Sequence, residues 1–193
     1  IALADRLDTL TGIVGIGQRP TGAKDPFALR RATIGVLNIL IKGELDLDLR
    51  ELLTVSAKQH RDLPKAEGLV EDVLEYMLDR FRAWASDEGM GAELYLAVRT
   101  LKISNPLDFA RRLRAVHAFG ERPEAAALAA ANKRVSNILA KAEHDGRTEV
   151  DASLLSEPAE QALAEALTAR GAEVAPLFAA ARYQEALDAL ASL

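Results

Sequence analysis

The sequence predicts an all-α fold, and three observations carry that prediction. Aromatic residues make up only 5% of the chain, alanine is abundant, and no apolar-polar alternation runs long enough to define a strand. Helices are predicted near 1–11, 26–42, 47–59, 65–86, 91–102, 106–119, 123–144, 157–170 and 173–179, with a last one at 182–191. The first places Asp5 and Asp8 on one helix face. Gly12, Gly15, Gly17 and Gly22 then read as a loop. The helix start after it is written clearly: Asp25 can accept a backbone N–H as N-cap, and Pro26 suits the first helical position. Phe27, Leu29, Ile34, Val36, Leu37, Ile39, Leu40 and Ile41 point in most directions around a 3.6-residue turn, so this helix is expected to be buried on most sides, with Gly43 as its C′ stop.

Asp62-Leu-Pro64 interrupts the apolar periodicity and is the expected domain boundary. Over 106–119, Phe109, Leu113 and Val116 form a core stripe, which sends Arg111 and Arg114 to the opposite side with Arg112 on the flank. In the following helix Leu128, Val135, Leu139 and Ala142 line one face, and Lys133, Arg134, Asn137 and Lys141 lie across from it. A polar loop at 143–148 precedes Ser156-Glu-Pro158, read as an N-cap followed by proline in the first turn. Gly171 closes that helix, and the alanine-rich stretch beyond it reads as tight helix packing.

With 193 residues, 49% apolar and 27% charged, the chain has room for one large or two small domains of ordinary globular composition. No apolar run approaches the roughly 20 residues of a membrane helix, and no signal peptide is visible. Cysteine is absent, which excludes disulfides and thiolate metal sites and is compatible with a reducing compartment. Ile1 is not an initiator methionine and the sequence opens inside a helical pattern, so a fragment, or the ordered part of a longer protein, is expected.

The net charge of −5 argues against nucleic-acid binding, but its distribution does not. Between 107 and 141 there are seven basic residues against Asp108, Glu121 and Glu124. Arg19, Lys24, Arg30 and Arg31 stand against Asp25 alone near the second helix. Segregation of this kind is what contact with a polyanion requires, although a solvated helix surface also accounts for it. Arginine suits phosphates and exposed base edges, and asparagine can donate to and accept from a base. Lys24, Arg30 and Arg31 are secondary candidates on the same grounds.

Other chemistry is poorly supported. Asp5 and Asp8 could hold a hard cation only with further ligands, and the three histidines show no metal-type spacing. The words Leu3-Ala-Asp-Arg-Leu7 resemble the last ligand segment of HD-type phosphohydrolases, which would make Asp5 a vestigial ligand position and implies no bound metal here. The glycine-rich loop lacks a Walker lysine and a preceding strand, so chain reversal competes with phosphate contact.

Six words together resemble the β subunit of the bacterial two-subunit glycyl-tRNA synthetase: Leu3-Ala-Asp-Arg-Leu-Asp-Thr-Leu-Thr-Gly12, Ile16-Gly-Gln-Arg-Pro-Thr-Gly22, Lys24-Asp-Pro-Phe-Ala-Leu-Arg-Arg31, Pro106-Leu-Asp-Phe109 with Arg111 to Val116, Ala129-Ala-Ala-Asn-Lys-Arg-Val-Ser-Asn-Ile-Leu139, and Leu154-Leu-Ser-Glu-Pro-Ala159. The resemblance implies that residues 1–62 are the last helices of an HD-like domain. It implies that 65–193 form a helical anticodon-binding domain, similar to that of arginyl-tRNA synthetases and truncated at its C-terminus. It further implies tRNA(Gly) and the α subunit as partners in an α2β2 assembly in the cytoplasm, with no membrane or DNA partner. On the same resemblance, ATP with Mg is expected to be consumed on the α subunit, and this fragment is expected to carry no catalytic residue and no cofactor. The expected tRNA contacts are Arg111, Arg112, Arg114, Lys133, Arg134, Asn137 and Lys141. The rival expectations are an HD-type metal-dependent phosphohydrolase module and a structural helical module that docks the α subunit.

Overall fold

The computed structural model describes residues 1–20, 24–141 and 151–191. Every regular element among them is helical: α1 (Ala2–Gly15), α2 (Leu29–Lys42), α3 (Leu49–Ala57), α4 (Leu69–Asp87), α5 (Ala92–Arg99), α6 (Pro106–Gly120), α7 (Pro123–Leu139), a 3-10 turn (Ala152–Leu154), α8 (Pro158–Ala179) and α9 (Tyr183–Leu190). The chain forms two compact units, Ile1–Leu113 and Arg114–Leu193.

In the first unit α1 packs on α2, α3 and α4, and α4 also receives α2, α3 and α5. Leu7, Leu10 and Val14 of α1 recur at helical spacing and are buried against Leu37, Leu40, Leu53 and Met77 in one core. The few aromatic residues are concentrated: the Phe81 ring lies 4.8 Å from Trp84 and 4.5 Å from Phe109, and Tyr95 lies 5.7 Å from Phe109. These off-parallel contacts join α4, α5 and α6. On the outer face of α4, Glu71, Asp72 and Glu75 pair with Arg50, Arg19 and Arg99. The segment expected to be a boundary lies inside this unit, since Leu63 packs on the core and Lys65 N–H donates to the Gly15 carbonyl. The compact units divide at Leu113.

Several local expectations are corrected. Helix α1 runs through Gly12 to Gly15, because both glycines lie under close neighbours. A Cβ at Gly12 would meet His60 Cε1 at 2.9 Å and one at Gly15 would meet Leu63 Cδ1 at 2.7 Å. Gly17, at φ +83°, ends the helix, with Gly17 N–H bonded to Val14 O and Gln18 N–H to Ile13 O. Gly22 lies outside the described residues. The N-cap of α2 is Ala28, not Asp25, although the Asp25 carboxylate still satisfies the first turn, accepting from Leu29 N–H at 2.8 Å and Arg30 N–H at 3.0 Å. However, Pro26 is not in the helix: Ala28 takes a left-handed φ of 55° and the helix begins at Leu29. Phe27 is consequently 44% exposed rather than buried. The rest of α2 is covered on most sides, with Leu29, Val36, Leu37 and Leu40 fully buried. At its end the left-handed residue is Glu44 (φ 50°), not Gly43.

In the second unit α8 is continuous from Pro158 to Ala179, passing through Gly171 and Pro176. Gly171 costs a helix about 1 kcal/mol relative to alanine and is no stop without a left-handed turn. The N-cap is Glu157, with Pro158 next, and the Glu160 carboxylate accepts from the N–H groups of Ser156 and Glu157. Helix α9 folds back on the end of α8 by burying Val174, Tyr183 and Ala186, with the Phe178 and Tyr183 rings 5.7 Å apart. Arg122 Nη2 lies 3.0 Å from Asp188 Oδ1, tying the start of α7 to α9. No helix is long and apolar enough to cross a membrane among the described residues.

Candidate nucleic-acid interface

Helix α6 starts from a complete cap. Asn105 Oδ1 accepts the N–H groups of Leu107 (3.0 Å) and Asp108 (3.1 Å), and Asn105 O accepts Phe109 N–H. Phe109, Ala110 and Leu113 are buried, which fixes the helix rotation and sends Arg111 and Arg114 outward, where both are exposed. Arg112 is half-buried, its Nε 3.0 Å from Asp108 Oδ2 one turn earlier. This is the arrangement expected from the helical wheel.

Helix α7 follows after Glu121 and Arg122, with Pro123 as its first residue. Lys133, Arg134, Asn137 and Lys141 lie with Ala130 and Ile138 along one open face of α7 and its end. The opposite, apolar stripe departs from expectation. No residue of α7 is buried, and Leu128, Val135 and Leu139 are 39%, 53% and 53% exposed. Apolar periodicity defines a face but does not supply the surface that covers it. Ala142, the loop at 143–148 and His144 lie outside the described residues.

Of the secondary candidates, Lys24 and Arg31 are exposed and Arg30 is half-buried. Near Arg30 the Arg80 guanidinium sits 5.5 Å from the centre of the Tyr76 ring. Burial raises the Tyr76 hydroxyl pKa above its ordinary value, with Arg80 and Arg30 pulling it down and Asp25 adding to the rise. Neither Tyr76 nor Arg80 is marked by any local sequence signal.

The acidic pair on α1 separates in role. Asp5 is exposed, while Asp8 Oδ1 lies 3.2 Å from His60 Nε2. The same nitrogen is 3.1 Å from the buried Thr11 hydroxyl, which donates to Leu7 O and lies 2.8 Å from Ser56 Oγ. The cluster joins α1 to the end of α3. No group of three or more His, Cys, Asp or Glu side chains is arranged to hold a metal among the described residues.

Three further hydrogen bonds escaped sequence reasoning. The N-terminus of α6 is clasped to that of α3. Asp48 Oδ1 caps α3 at Arg50 N–H (2.8 Å) and Glu51 N–H (3.2 Å), and its Oδ2 accepts Ser104 Oγ at 2.5 Å. Leu49 N–H donates to Ser104 O at 3.0 Å, and Asn105 Nδ2 to Asp46 Oδ1 at 2.5 Å.

Comparison with known proteins assigns the class. Residues 1–100 match the family model described as glycyl-tRNA synthetase beta subunit, which places the chain among components of aminoacyl-tRNA synthetases. Over all 193 residues it is 70% identical to the glycine–tRNA ligase beta subunit of Chromohalobacter salexigens. The corresponding beta subunits of Pseudomonas aeruginosa and Mannheimia succiniciproducens are 56% and 51% identical, again over the whole chain. The chain spans 28% of the length of each of these relatives. It belongs to the glycyl-tRNA synthetase beta subunit family.

Proposed function

We propose that this chain is a tRNA-gripping part of the β subunit of a two-subunit glycine–tRNA ligase and performs no chemistry itself. On this reading glycine and ATP, with Mg, react on the α subunit of an α2β2 cytoplasmic enzyme, and α6 and α7 belong to a helical anticodon-binding domain that holds the anticodon arm of tRNA(Gly). The observation that carries the reading is the basic, solvent-open face of α7. Three cations and an amide share one solvent-open face there, at the spacing by which a helix can follow a phosphate backbone. Arg111, Arg112 and Arg114 of α6 are further candidate contacts on this proposal. Phosphate contacts supply affinity and make it salt-dependent, while any base reading comes from hydrogen bonds and arginine stacking on splayed bases. Lys24, Arg30 and Arg31 are secondary contacts on this proposal.

The test uses the full ligase with both subunits. Replacing Lys133, Arg134 and Asn137 together with alanine is expected to weaken tRNA(Gly) binding and to flatten the dependence of log affinity on log salt by about one to two. Glycyl-adenylate formation, read by pyrophosphate exchange, should be unchanged. Unaltered tRNA affinity at moderate salt would remove this face from the interface.

A further inference from the structure

We propose that Asn105 and Asp46, with Ser104 and Asp48, are positioning residues that set where α6 presents Arg111 and Arg112 to RNA, an inference that rests on the reading of α6 as part of the tRNA interface. The burial of Leu107, Phe109 and Leu113 fixes rotation about the α6 axis and seats its first turn, but apolar burial is non-directional. The clasp adds directional hydrogen bonds at that end. Three hydrogen bonds, Ser104 Oγ to Asp48 Oδ2, Leu49 N–H to Ser104 O and Asn105 Nδ2 to Asp46 Oδ1, tie the residues that lead into α6 to the start of α3 and the residues before it. Helix α3 is itself packed on α1 and α4, so the clasp references α6 to the core of the first unit.

The division of labour within each side chain supports a positioning role. Asn105 caps α6 with its oxygen and reaches Asp46 with its nitrogen. Asp48 caps α3 with one oxygen and holds Ser104 with the other. The two carboxylates would repel a phosphate backbone, so neither is a contact residue. Arg111 lies six residues beyond Asn105, or about 9 Å along the helix, close enough that a tilt at the clasp displaces its guanidinium. Bidentate phosphate contact by arginine is sensitive to such displacement.

The experiment exploits the split between the two atoms of Asn105, in the complete two-subunit ligase. Asn105→Asp keeps an acceptor for the α6 N-terminus, since aspartate caps as well as asparagine, but loses the donor and faces Asp46 with a second carboxylate. KM for tRNA(Gly) is expected to rise about three- to tenfold, with glycine-dependent ATP–pyrophosphate exchange unchanged. Adding Asp46→Asn restores a donor–acceptor pair in the reverse sense, and should return KM to within about twofold of the parent, as expected of a directly coupled pair. Arg111→Ala/Arg112→Ala is the reference. If that variant raises KM and Asn105→Asp does not, or if Asp46→Asn fails to rescue, the positioning role is overturned and the interface stands. If the arginine variant itself leaves KM unchanged, the α6 interface falls and the positioning role with it. Should Asn105→Asp not fold, Ser104→Ala, which spares both caps, must raise KM about two- to fivefold, and an unchanged value overturns the proposal.

Discussion

Tyr95 shows how one buried polar atom couples two helices. Its hydroxyl donates to Leu78 O at 2.8 Å, and the side chain is only 4% exposed. The bond joins α5 to α4 beside the ring of Phe109. Burial raises the phenol pKa above its usual value, and nearby Arg99 opposes the rise without cancelling it. In the unfolded chain the group titrates near 10. The raised folded pKa means that its contribution is whole below about pH 10 and is lost as pH rises further, because only the unfolded chain then releases the proton readily. Tyr95→Phe is expected to cost about 1 kcal/mol at pH 7, and to lose less stability than the parent between pH 9 and 11. Denaturant unfolding at several pH values checks both statements. At this scale the sequence was silent: nothing local to residue 95 distinguishes a bonded tyrosine from an exposed one.

At the scale of elements, helix ends show where local signals govern and where packing overrides them. Asp25 was legible as an acceptor for the first turn of α2 because a carboxylate satisfying backbone N–H groups is a local matter. Where the helix begins was not, since Ala28 turns left-handed and inserts Pro26 and Phe27 as a preceding turn. Gly43 was read as the left-handed stop of α2, and the turn instead places Glu44 there, with its N–H on Ile41 O and Leu45 N–H on Leu40 O. Gly43 has a different reason to be glycine, as a Cβ would sit 2.5 Å from Ile39 O. A non-glycine left-handed residue costs about 1 kcal/mol. Glu44→Gly is therefore expected to stabilise the chain by about 0.5–1 kcal/mol, measurable as an increase in the denaturant midpoint with unchanged m. An unchanged or lowered midpoint would mean that the Glu44 side chain does something the backbone geometry does not require.

For the whole molecule, the two compact units differ in how they are held. The first has a continuous core of leucine, valine and aromatic side chains, with Val73, Met77 and Phe81 of α4 fully buried at its centre. In the second, α7 buries nothing and α8 buries only Val174 among its described residues. Amide hydrogen exchange on the 193-residue chain should accordingly find the slowest protons on α4 and much faster exchange along α7, because local opening costs least where few apolar contacts are lost. Comparable protection of the two helices would contradict this account.

What the sequence determined by itself was what repeats at short range. Helical periodicity found the helices, although it cut α8 in two at Gly171, and it placed Phe109 and Leu113 inward and Arg111 outward, with Lys133, Arg134 and Asn137 of α7 on one side. Family membership was also legible, because six words in order are a property of the chain and not of its folding. What only the tertiary structure decided depends on residues far apart in sequence. It made Gly12 and Gly15 part of α1 by bringing His60 and Leu63 over them, and joined Asp46 and Asp48 to Ser104 and Asn105. It set the division between compact units at Leu113. It also left the apolar side of α7 open. The reason is physical: a cap or a helical stripe is specified by neighbours within one or two turns, whereas burial, close approach and hydrogen bonds between helices are set by whichever surfaces the packed chain brings together.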